Sequence, residues 1–520
     1  MIRYLIEKGT VLDGSGAGPR EINIGIHDDR IVYAGSERIG AERTVNARGL
    51  IVAPGFIDTH AHSEFTILAD GRAEGKLSQG VTTEINGNCG LSAGPLYGEA
   101  LTRREADMDE LGITARWSTL AEYFALLRKK GVAINFATLC GHGNLRASVI
   151  GYKPSAADDG DLAAMKRLLS EAVGSGAKGL STGLIYPPGI YSVTSELTSL
   201  AVGLPSSGVY ASHMRSEGDA LVESILEIIE IGRTAGVPVH ISHLKTAGEN
   251  NWWKIDEVLR LLETARTAGI RITCDRYPYI AAATDLDTIL PEWVYEGGIE
   301  SELERLKNPE TAARIKSDLS SKDDNYWKGI YISSVANPEN RWMEGENIFD
   351  VASKTGRDIV YALMDLLIRE RARTGAIFFS MNEDNLRRFL SLPYLMIGSD
   401  SSVRSFSGPT CHGKPHPRGF GSFPRFIGKY TRDKGLVTLE EAIRRTSSLP
   451  AATFGLAGRG VISEGAYADI VIFDYERITD TATFREPFRR PEGIDYVFVN
   501  GSMAVDGGEF TGTLSGRVLL

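Results

Sequence analysis

Eight short apolar runs, separated by stretches with helical spacing, constrain the fold of this chain more than any other feature. The runs are residues 55–62, 81–89, 135–142, 179–184, 209–213, 239–243, 272–279 and 394–400. The helical stretches between them include residues 119–130, 161–175, 219–235 and 256–268. This alternation predicts an α/β fold, a (β/α)8 TIM-like barrel with catalytic residues at the carboxyl ends of its strands. A doubly wound sheet competes, but the strand count and the lack of a Gly-x-Gly-x-x-Gly motif after a first strand weigh against it.

The two ends of the chain have a different character from the middle. Residues 1–54 and 456–520 contain short β segments joined by turns, including Asn500-Gly501 as a hairpin turn. Neither end holds enough strands for a stable sheet of its own. We therefore expect the two ends to pair into one small β-sandwich domain beside a barrel over residues 55–455.

Residues 284–350 interrupt the alternation of strands and helices. This segment is charged and rich in turns, and it contains Trp293, Trp327 and Trp342. Long connections inside a compact domain are usually functional lids or disordered segments, and the tryptophans argue against disorder. We expect an ordered insertion that covers the active site.

Composition narrows the functional classes. The 520 residues carry a net charge of −10 that is spread along the chain, so no basic footprint argues for nucleic-acid binding. No stretch approaches about 18 consecutive apolar residues, and the N-terminus lacks the apolar run of a signal peptide. Four cysteines in so long a chain do not suggest a disulfide framework. We expect a cytoplasmic protein that binds no membrane.

Candidate metal ligands end several of the apolar runs. His60 and His62 point the same way if their strand is extended, and Cys89 lies in a glycine-flanked turn that suits a thiolate ligand. His213 and His243 end consecutive runs, and Asp400 ends the last, where a carboxylate can serve as ligand and general base. Each residue alone has an ordinary structural explanation, but such an explanation for all of them together is improbable.

Further short motifs accompany these ligands. They are residues 55–62, Gly-Asn-Cys-Gly at 87–90, Gly-Leu-Ile-Tyr-Pro-Pro-Gly at 183–189, His-Met-Arg-Ser-Glu at 213–217, Ile-Ser-His-Leu-Lys at 241–245, Tyr-Pro-Tyr at 277–279, Gly-Ser-Asp at 398–400 and His-Pro-Arg at 416–418. With these motifs the chain resembles the amidohydrolase superfamily and, within it, the D-aminoacylase (N-acyl-D-amino-acid deacylase) family. The cysteine motif is the feature that points to this family in particular.

The resemblance implies a zinc enzyme that hydrolyses N-acyl-D-amino acids to a carboxylate and a free D-amino acid. The implied ligands of one tight zinc are Cys89, His213 and His243, and those of a second, weaker position are His60, His62 and Asp400. By the same resemblance, Asp400 accepts a proton from water and delivers it to the leaving amine. The implied substrate-binding residues are Lys245, Tyr277 and Arg418, and Tyr279 is an alternative to Tyr277 because the two share a face.

Substrate preference does not transfer directly from the family. Residues 401–414 form a loop longer than in the shorter family members, at the place where substrate should bind. Residues 285–287 lie where side-chain selectivity would be set, and they include no arginine, which favours neutral D-amino acids over D-glutamate or D-aspartate.

Three alternatives stay open beside this interpretation. The chain could act on dipeptides that contain a D-residue. A cyclic-amide hydrolase of the dihydropyrimidinase type should have a lysine ending strand 4, whereas Lys178 precedes that run. A non-catalytic scaffold should have lost metal ligands, whereas every ligand position is filled. The sequence does not determine the oligomeric state, and we expect His240, three residues before His243, to pack outward.

Overall fold

The N-terminal strands divide between two sheets in the computed structural model, which describes residues 2–520. The strands are β1 (Ile2–Glu7), β2 (Thr10–Val11), β3 (Arg20–Glu21), β4 (Asn23–His27), β5 (Arg30–Gly35), β6 (Ala41–Asn46) and β7 (Ile51–Pro54). One sheet has the order β5-β4-β1-β6. β2, β3 and β7 belong to a second sheet, which strands from the other end of the chain complete.

Parallel pairing joins the next strands along the chain. They are β8 (Phe56–Asp58), β9 (Val81–Asn86), β10 (Asn135–Thr138), β11 (Cys140–Gly141), β12 (Gly179–Gly183), β13 (Val209–His213), β14 (Val239–Ile241) and β15 (Ile272–Arg276). β8 to β10 pair in one parallel group, and β11 to β15 pair in another. All lie within predicted runs, but several end early, since β8 stops at Asp58, β9 at Asn86, β14 at Ile241 and β15 at Arg276. Cys89 and His243 have φ angles of 53° and 36°, which take the backbone out of strand geometry.

Helices follow most of these strands. They are α1 (Thr66–Ala69), α2 (Glu74–Leu77), α3 (Gly98–Glu110), α4 (Leu120–Lys130), α5 (His142–Val149), α6 (Asp159–Gly174), α7 (Thr194–Ala201), α8 (Leu221–Ala235) and α9 (Ile255–Thr267). The capping box expected from the sequence is confirmed at α4, where Thr119 and Glu122 cap each other's backbone N–H groups. α8 buries Ile225, Ile228 and Ile231 along one face, which is the spacing of a helix packed against a sheet.

Residues 282–378 carry an antiparallel sheet and a separate apolar cluster. The elements are β16 (Ala282–Asp285), α10 (Ile299–Lys307), α11 (Pro309–Asp318), α12 (Asp324–Lys328), β17 (Ile330–Ser334), α13 (Ile348–Thr355), α14 (Ile359–Arg369) and β18 (Gly375–Phe378). The cluster includes the buried side chains of Trp327, Leu363 and Leu367. This unit extends past residue 350, the predicted end of the insertion, because β18 supplies the central strand of its sheet.

The last parallel strand brings the chain back to the first. After α15 (Glu383–Leu390), β19 (Leu395–Ile397) pairs with β15. The Thr59 backbone N–H donates to the Ile397 carbonyl at 3.4 Å, and Ala61 forms a parallel bridge with Ser401. The remaining elements are α16 (Arg418–Arg425), a π-helical turn (Phe426–Asp433), α17 (Leu439–Thr446), α18 (Ser448–Thr453), β20 (Ile470–Phe473), β21 (Ile494–Val499), β22 (Ser502–Asp506) and β23 (Glu509–Phe510).

Strands from both ends of the chain share one sheet, in the order β23-β22-β21-β20-β7-β2-β3. The predicted hairpin turn is confirmed between β21 and β22, where Asn500 and Gly501 have φ angles of 47° and 74°. Ile6 and Ile24 of the four-stranded sheet share an apolar cluster with Ile470 of the seven-stranded sheet. Within residues 2–520, no helix has both the length and the apolar character needed to cross a membrane.

Candidate metal centre and active site

Six side chains from five strand ends converge at one place. The residues are His60 and His62 after β8, Cys89 after β9, His213 at the end of β13, His243 after β14 and Asp400 after β19. They form three overlapping groups whose ligand atoms lie within 4.8 Å of one another: His60, His62 and Cys89; Cys89, His213 and His243; and His60, His243 and Asp400. The structure therefore brings together all the residues predicted as metal ligands.

The Cys89 thiol lies among imidazoles and differs from the other buried thiols. Its Sγ is 3.3 Å from His60 Nε2 and 3.5 Å from His243 Nε2. Burial opposes ionisation, but these two imidazoles hold the pKa of Cys89 well below its ordinary value. Burial raises the pKa of Cys140 and Cys274, which have no such partners. Only a thiolate is an effective metal ligand, so Cys89 has the chemistry that the site needs.

Left-handed backbone conformations bring three of the ligands into the cluster. The φ angles are 53° at Cys89, 36° at His243 and 51° at Asp400. Such conformations cost a non-glycine residue about 1–3 kcal/mol and are concentrated at functional sites. Gly90 follows Cys89 with a φ of 75°, and a Cβ there would lie 2.8 Å from the Gly183 nitrogen. The expected tight turn around Cys89 is confirmed, and it requires glycine.

His213 gives the clearest indication that this cluster holds a metal. Both of its ring nitrogens are buried, and neither has a hydrogen-bond partner within residues 2–520. Burial lowers its pKa, which favours the neutral imidazole. An unsatisfied buried polar group costs about 1–3 kcal/mol, whereas a neutral imidazole nitrogen is an ordinary zinc ligand. With the Cys89 thiolate and His243, it forms a sulfur and nitrogen donor set that fits Zn²⁺.

Asp400 is held ionised in spite of its burial. Its Oδ1 lies 3.1 Å from His62 Nε2 and 3.6 Å from His60 Nε2, while its Oδ2 lies 2.9 Å from Arg418 Nη1. Burial would raise the pKa of Asp400, but Arg418 and then His60 hold it well below the usual range. The carboxylate is therefore available as a ligand and as a proton acceptor.

Asp275 supports two of the ligands and was missed in the sequence analysis. Its Oδ2 lies 3.1 Å from His60 Nδ1 and 2.7 Å from His240 Nε2, and its Oδ1 accepts from the His243 backbone N–H at 2.8 Å. The prediction that His240 packs outward is wrong, since its side chain is fully buried in this network. β14 ends at Ile241, so strand alternation no longer relates His240 to His243. The only signal for Asp275 was its position within the seventh apolar run.

Glu217 connects metal ligands to a predicted substrate-binding residue. Its carboxylate lies 2.8 Å from His243 Nδ1 and 3.8 Å from His213 Nε2, and it forms a close ion pair with Lys245. The Lys245 Nζ is also 2.9 Å from His243 Nδ1. Outer contacts of this kind orient metal-bound histidines. Glu217 ends the His-Met-Arg-Ser-Glu motif, and its spacing from His213 was the only signal in the sequence for this role.

The other two predicted substrate-binding residues contact each other. The Arg418 guanidinium carbon lies 4.5 Å from the centre of the Tyr277 ring. The Tyr277 hydroxyl is buried without a hydrogen-bond partner within residues 2–520. The Tyr279 hydroxyl, the alternative, donates to Asp480 at 3.2 Å. Tyr277 is thus the better candidate of the two for a contact with substrate.

A cavity of about 320 Å³ opens beside this cluster. His62, Asp400 and Arg418 line one part of it, and Asp285 of β16 lines another, so residues 282–378 contribute to its wall. The loop 401–414 adds Arg404, which was not among the predicted site residues. No spacing in the sequence relates Arg404 to Asp285, which is more than a hundred residues earlier in the chain.

Comparisons with known proteins find relatives along nearly the whole of this chain. A family model described as the amidohydrolase family matches residues 43–316 and 336–505. A D-aminoacylase from Alcaligenes xylosoxydans xylosoxydans is 37% identical over 522 residues, which cover 99% of this chain and 97% of that protein. A solved structure of D-aminoacylase is 35% identical to this chain, with a TM-score of 0.84 over 100% of both chains. That structure concerns the binuclear metal centre of the enzyme, its activation by one metal and its attenuation by a second. The structure of N-acyl-D-glutamate deacylase from Bordetella bronchiseptica is 33% identical to this chain, with a TM-score of 0.83, and the match covers 100% of this chain and 99% of that one. It was solved with zinc and a phosphonate inhibitor that mimics the tetrahedral intermediate.

Proposed function

The chain belongs to the amidohydrolase family and, within it, to the D-aminoacylases, and on this basis we propose that it is a zinc-dependent hydrolase of N-acyl-D-amino acids. The reaction cleaves the linear amide bond and yields a carboxylate and a free D-amino acid. One observation carries the proposal. Within residues 2–520, His213 is buried without a hydrogen-bond partner beside Cys89 and His243, and the similarity of the chain to a D-aminoacylase covers 99% of its length.

The metal requirement follows from the donor set. The residues that would hold the tighter zinc are Cys89, His213 and His243, and those for a second, weaker position are His60, His62 and Asp400. When bound, zinc supplies Lewis-acid chemistry, which lowers the pKa of a water to about 7 and polarises an amide carbonyl. Asp275 contacts Nδ1 of His60, and Glu217 contacts Nδ1 of His243. The Nε2 atom of each histidine is therefore directed at Cys89.

Asp400 transfers a proton from the attacking water to the leaving nitrogen in this mechanism. Arg418 holds its Oδ2, so Oδ1 is the oxygen that accepts the proton of the attacking water. The same carboxyl then delivers that proton to the leaving nitrogen, because an amide nitrogen leaves poorly unless it is protonated. His60 and His62 contact Oδ1 and keep it oriented.

Three residues bind the α-carboxylate of the amino acid in this proposal. Arg418 offers a planar fork that matches a carboxylate, and Asp400 orients it. Tyr277 contributes its hydroxyl, which has no hydrogen-bond partner among the described residues, and Lys245 contributes an ammonium group that is paired with Glu217.

The finer architecture belongs to the same proposal. The hydrogen bond from Thr59 to the Ile397 carbonyl supports closure of the parallel strands into a (β/α)8 barrel over residues 55–455. The shared apolar cluster between the two terminal sheets supports a β-sandwich of residues 1–54 and 456–520. The cavity contacts of residues 282–378 support their role as a cover for the active site. The cytoplasmic location stays a prediction.

Two further predictions concern the substrate. The acidic side chain of Asp285 in the cavity wall supports neutral D side chains at that position. β12, the strand formed by the fourth apolar run, contains no lysine, which disfavours a cyclic-amide hydrolase of the dihydropyrimidinase type. A dipeptide that ends in a D-residue contains the same linear amide and stays an alternative substrate.

The proposal is tested by zinc quantification together with hydrolysis of matched substrates. We expect about one tightly bound zinc per chain and hydrolysis of N-acetyl-D-methionine, with little or none of N-acetyl-L-methionine. Equal rates on the two enantiomers would contradict the assignment at the level of substrate. A zinc-free protein that is insensitive to chelator and has no amidase activity would instead support a non-catalytic scaffold.

A further inference from the structure

Arg276, the last residue of β15, is a buried cation with few partners. Its Nη2 donates to the Tyr279 carbonyl at 3.0 Å and to the Met381 sulfur at 2.7 Å. Its Nε and Nη1 are buried without a hydrogen-bond partner within residues 2–520. No carboxylate in that part of the chain forms an ion pair with it. The described residues therefore leave the charge of Arg276 without a counter-charge in contact with it.

Arg276 and Arg418 contact the same tyrosine. The guanidinium carbon of each lies 4.5 Å from the centre of the Tyr277 ring, so the two carbons are separated by no more than twice this distance. The Tyr277 hydroxyl is also buried without a hydrogen-bond partner among the described residues. Burial lowers the pKa of Arg276, and the like charge of Arg418 lowers it further. Because arginine keeps its proton in proteins, a bound anion beside this tyrosine would offset both costs.

The two cations already assigned to the α-carboxylate of the substrate each have a carboxylate of their own. Arg418 pairs with Asp400 at 2.9 Å, and Lys245 forms a close ion pair with Glu217. Each pair is close to neutral as a unit, which weakens its attraction for another carboxylate. Arg276 has no such partner within residues 2–520, so it adds a positive charge to this region that the chain does not balance by contact.

We propose that Arg276 is a positioning residue for the α-carboxylate of the substrate. Its charge attracts this group, and its contact with the Tyr277 ring holds the hydroxyl that binds it. The inference rests on the proposed deacylase function and adds to it a residue that the family resemblance does not assign. The α-carboxylate keeps its charge throughout hydrolysis of the amide, so Arg276 stabilises the bound substrate and the transition state alike. Its loss therefore affects KM rather than kcat.

The inference is tested with N-acetyl-D-methionine and its neutral amide, N-acetyl-D-methioninamide. Arg276→Met should raise KM for the acid by about 5- to 50-fold with little change in kcat, which is the size of one charge interaction over this distance at an effective dielectric constant of about 20. The Ki of the neutral amide, measured as a competitor of the acid, should hardly change. Arg276→Lys keeps the charge and should restore most of the affinity for the acid. If Arg276→Met does not fold, Arg276→Gln removes the same charge and keeps a donor for the Tyr279 carbonyl.

Arg445→Met is the matched control, because Arg445 is also a fully buried arginine beside an aromatic ring. Its guanidinium carbon lies 5.2 Å from the centre of the Phe426 ring, and its Nη2 donates to the Leu390 carbonyl at 2.6 Å. It lies on α17, outside the cavity wall and the cluster of metal ligands, so its loss should leave KM for the acid unchanged even if stability falls.

Three results would overturn the inference. KM for the acid is unchanged in Arg276→Met, or KM for the acid and Ki of the amide rise by the same factor, or Arg276→Lys is impaired as much as Arg276→Met. Failure of the proposed function is distinct from these results, since the wild-type enzyme would then hydrolyse no N-acetyl-D-methionine.

Discussion

Asp400 is a buried carboxylate whose ionised form is stabilised by Arg418 and His60. We expect Asp400→Asn to lower kcat by about 10²- to 10⁴-fold, because the amide can neither accept the proton of water nor protonate the leaving nitrogen. Cys89, His213 and His243 are untouched by this change, so the tighter zinc should remain. Steady-state kinetics on N-acetyl-D-methionine, with zinc measured per chain, checks both expectations.

Asp480→Asn is a suitable control for this experiment. Asp480 is also a largely buried carboxylate paired with an arginine, Arg425 at 2.9 Å, but it lies outside the cluster of ligands. The control should keep its zinc and most of its kcat. Wild-type kcat in Asp400→Asn would rule out the proton-transfer role, and loss of the tighter zinc would mean that Asp400 acts chiefly as a ligand.

At the level of single residues, the sequence identifies groups that end strands but not groups that act through other residues. The six candidate ligands were found because each follows an apolar run, and parallel strands bring such ends together. Asp275 and Glu217 were missed because their roles depend on contacts with His60 and His243 from other strands. Arg404 was missed because only folding brings its loop beside β16.

At the level of elements, periodicity predicted strands and helices well and their ends less well. β9 and β14 are shorter than their apolar runs, because the residues that carry function leave strand geometry to reach the site. Composition predicted an insertion over residues 284–350, and the antiparallel sheet of this region includes β18, which follows residue 350. β18 is a short apolar strand after two helices, and only its pairing with both β16 and β17 assigns it to this unit.

Glu302 makes the stability of this insertion depend on pH. It lies buried on α10, and burial raises its pKa from 4.5 to about 7. Between these values the folded chain binds more protons than the unfolded chain, so Glu302 costs stability as pH rises through this window. Glu302→Gln should therefore gain stability relative to wild type between pH 4.5 and 8, by up to about 3 kcal/mol. Urea unfolding of both proteins at pH 5 and pH 8 measures the difference.

Glu304→Gln provides the comparison on the same helix. Glu304 is exposed to solvent, so its replacement should shift the unfolding midpoint by the same small amount at both pH values. If Glu302→Gln also gives a shift that does not change with pH, the carboxyl of Glu302 is not protonated in the folded insertion.

At the scale of the whole molecule, the metal cluster joins parts of the chain that are far apart in sequence. Its ligands follow β8, β9, β13, β14 and β19, and β8 and β19 lie at opposite ends of the parallel set. Asp58 reinforces this junction, since it pairs with the buried Lys76 at 2.6 Å and accepts from the Ser399 backbone N–H at 2.8 Å. A metal bound here links the first and last parallel strands, so its removal should affect stability as well as activity.

Removal of zinc by a chelator should therefore have two linked effects. Activity should be lost, and the melting temperature should fall by several degrees, because a ligand present at about 1,000 times its Kd stabilises the folded state by about 4 kcal/mol. Without metal, the two ring nitrogens of His213 also stay buried with no hydrogen-bond partner in the described part of the chain. One equivalent of zinc should restore both melting temperature and activity, and a further excess should add little stability if the second position is weaker. Cys89→Ser should already melt at the lower temperature and should not respond to zinc. A melting temperature that is unchanged by chelator while activity disappears would mean that the strand ends hold their positions without the metal.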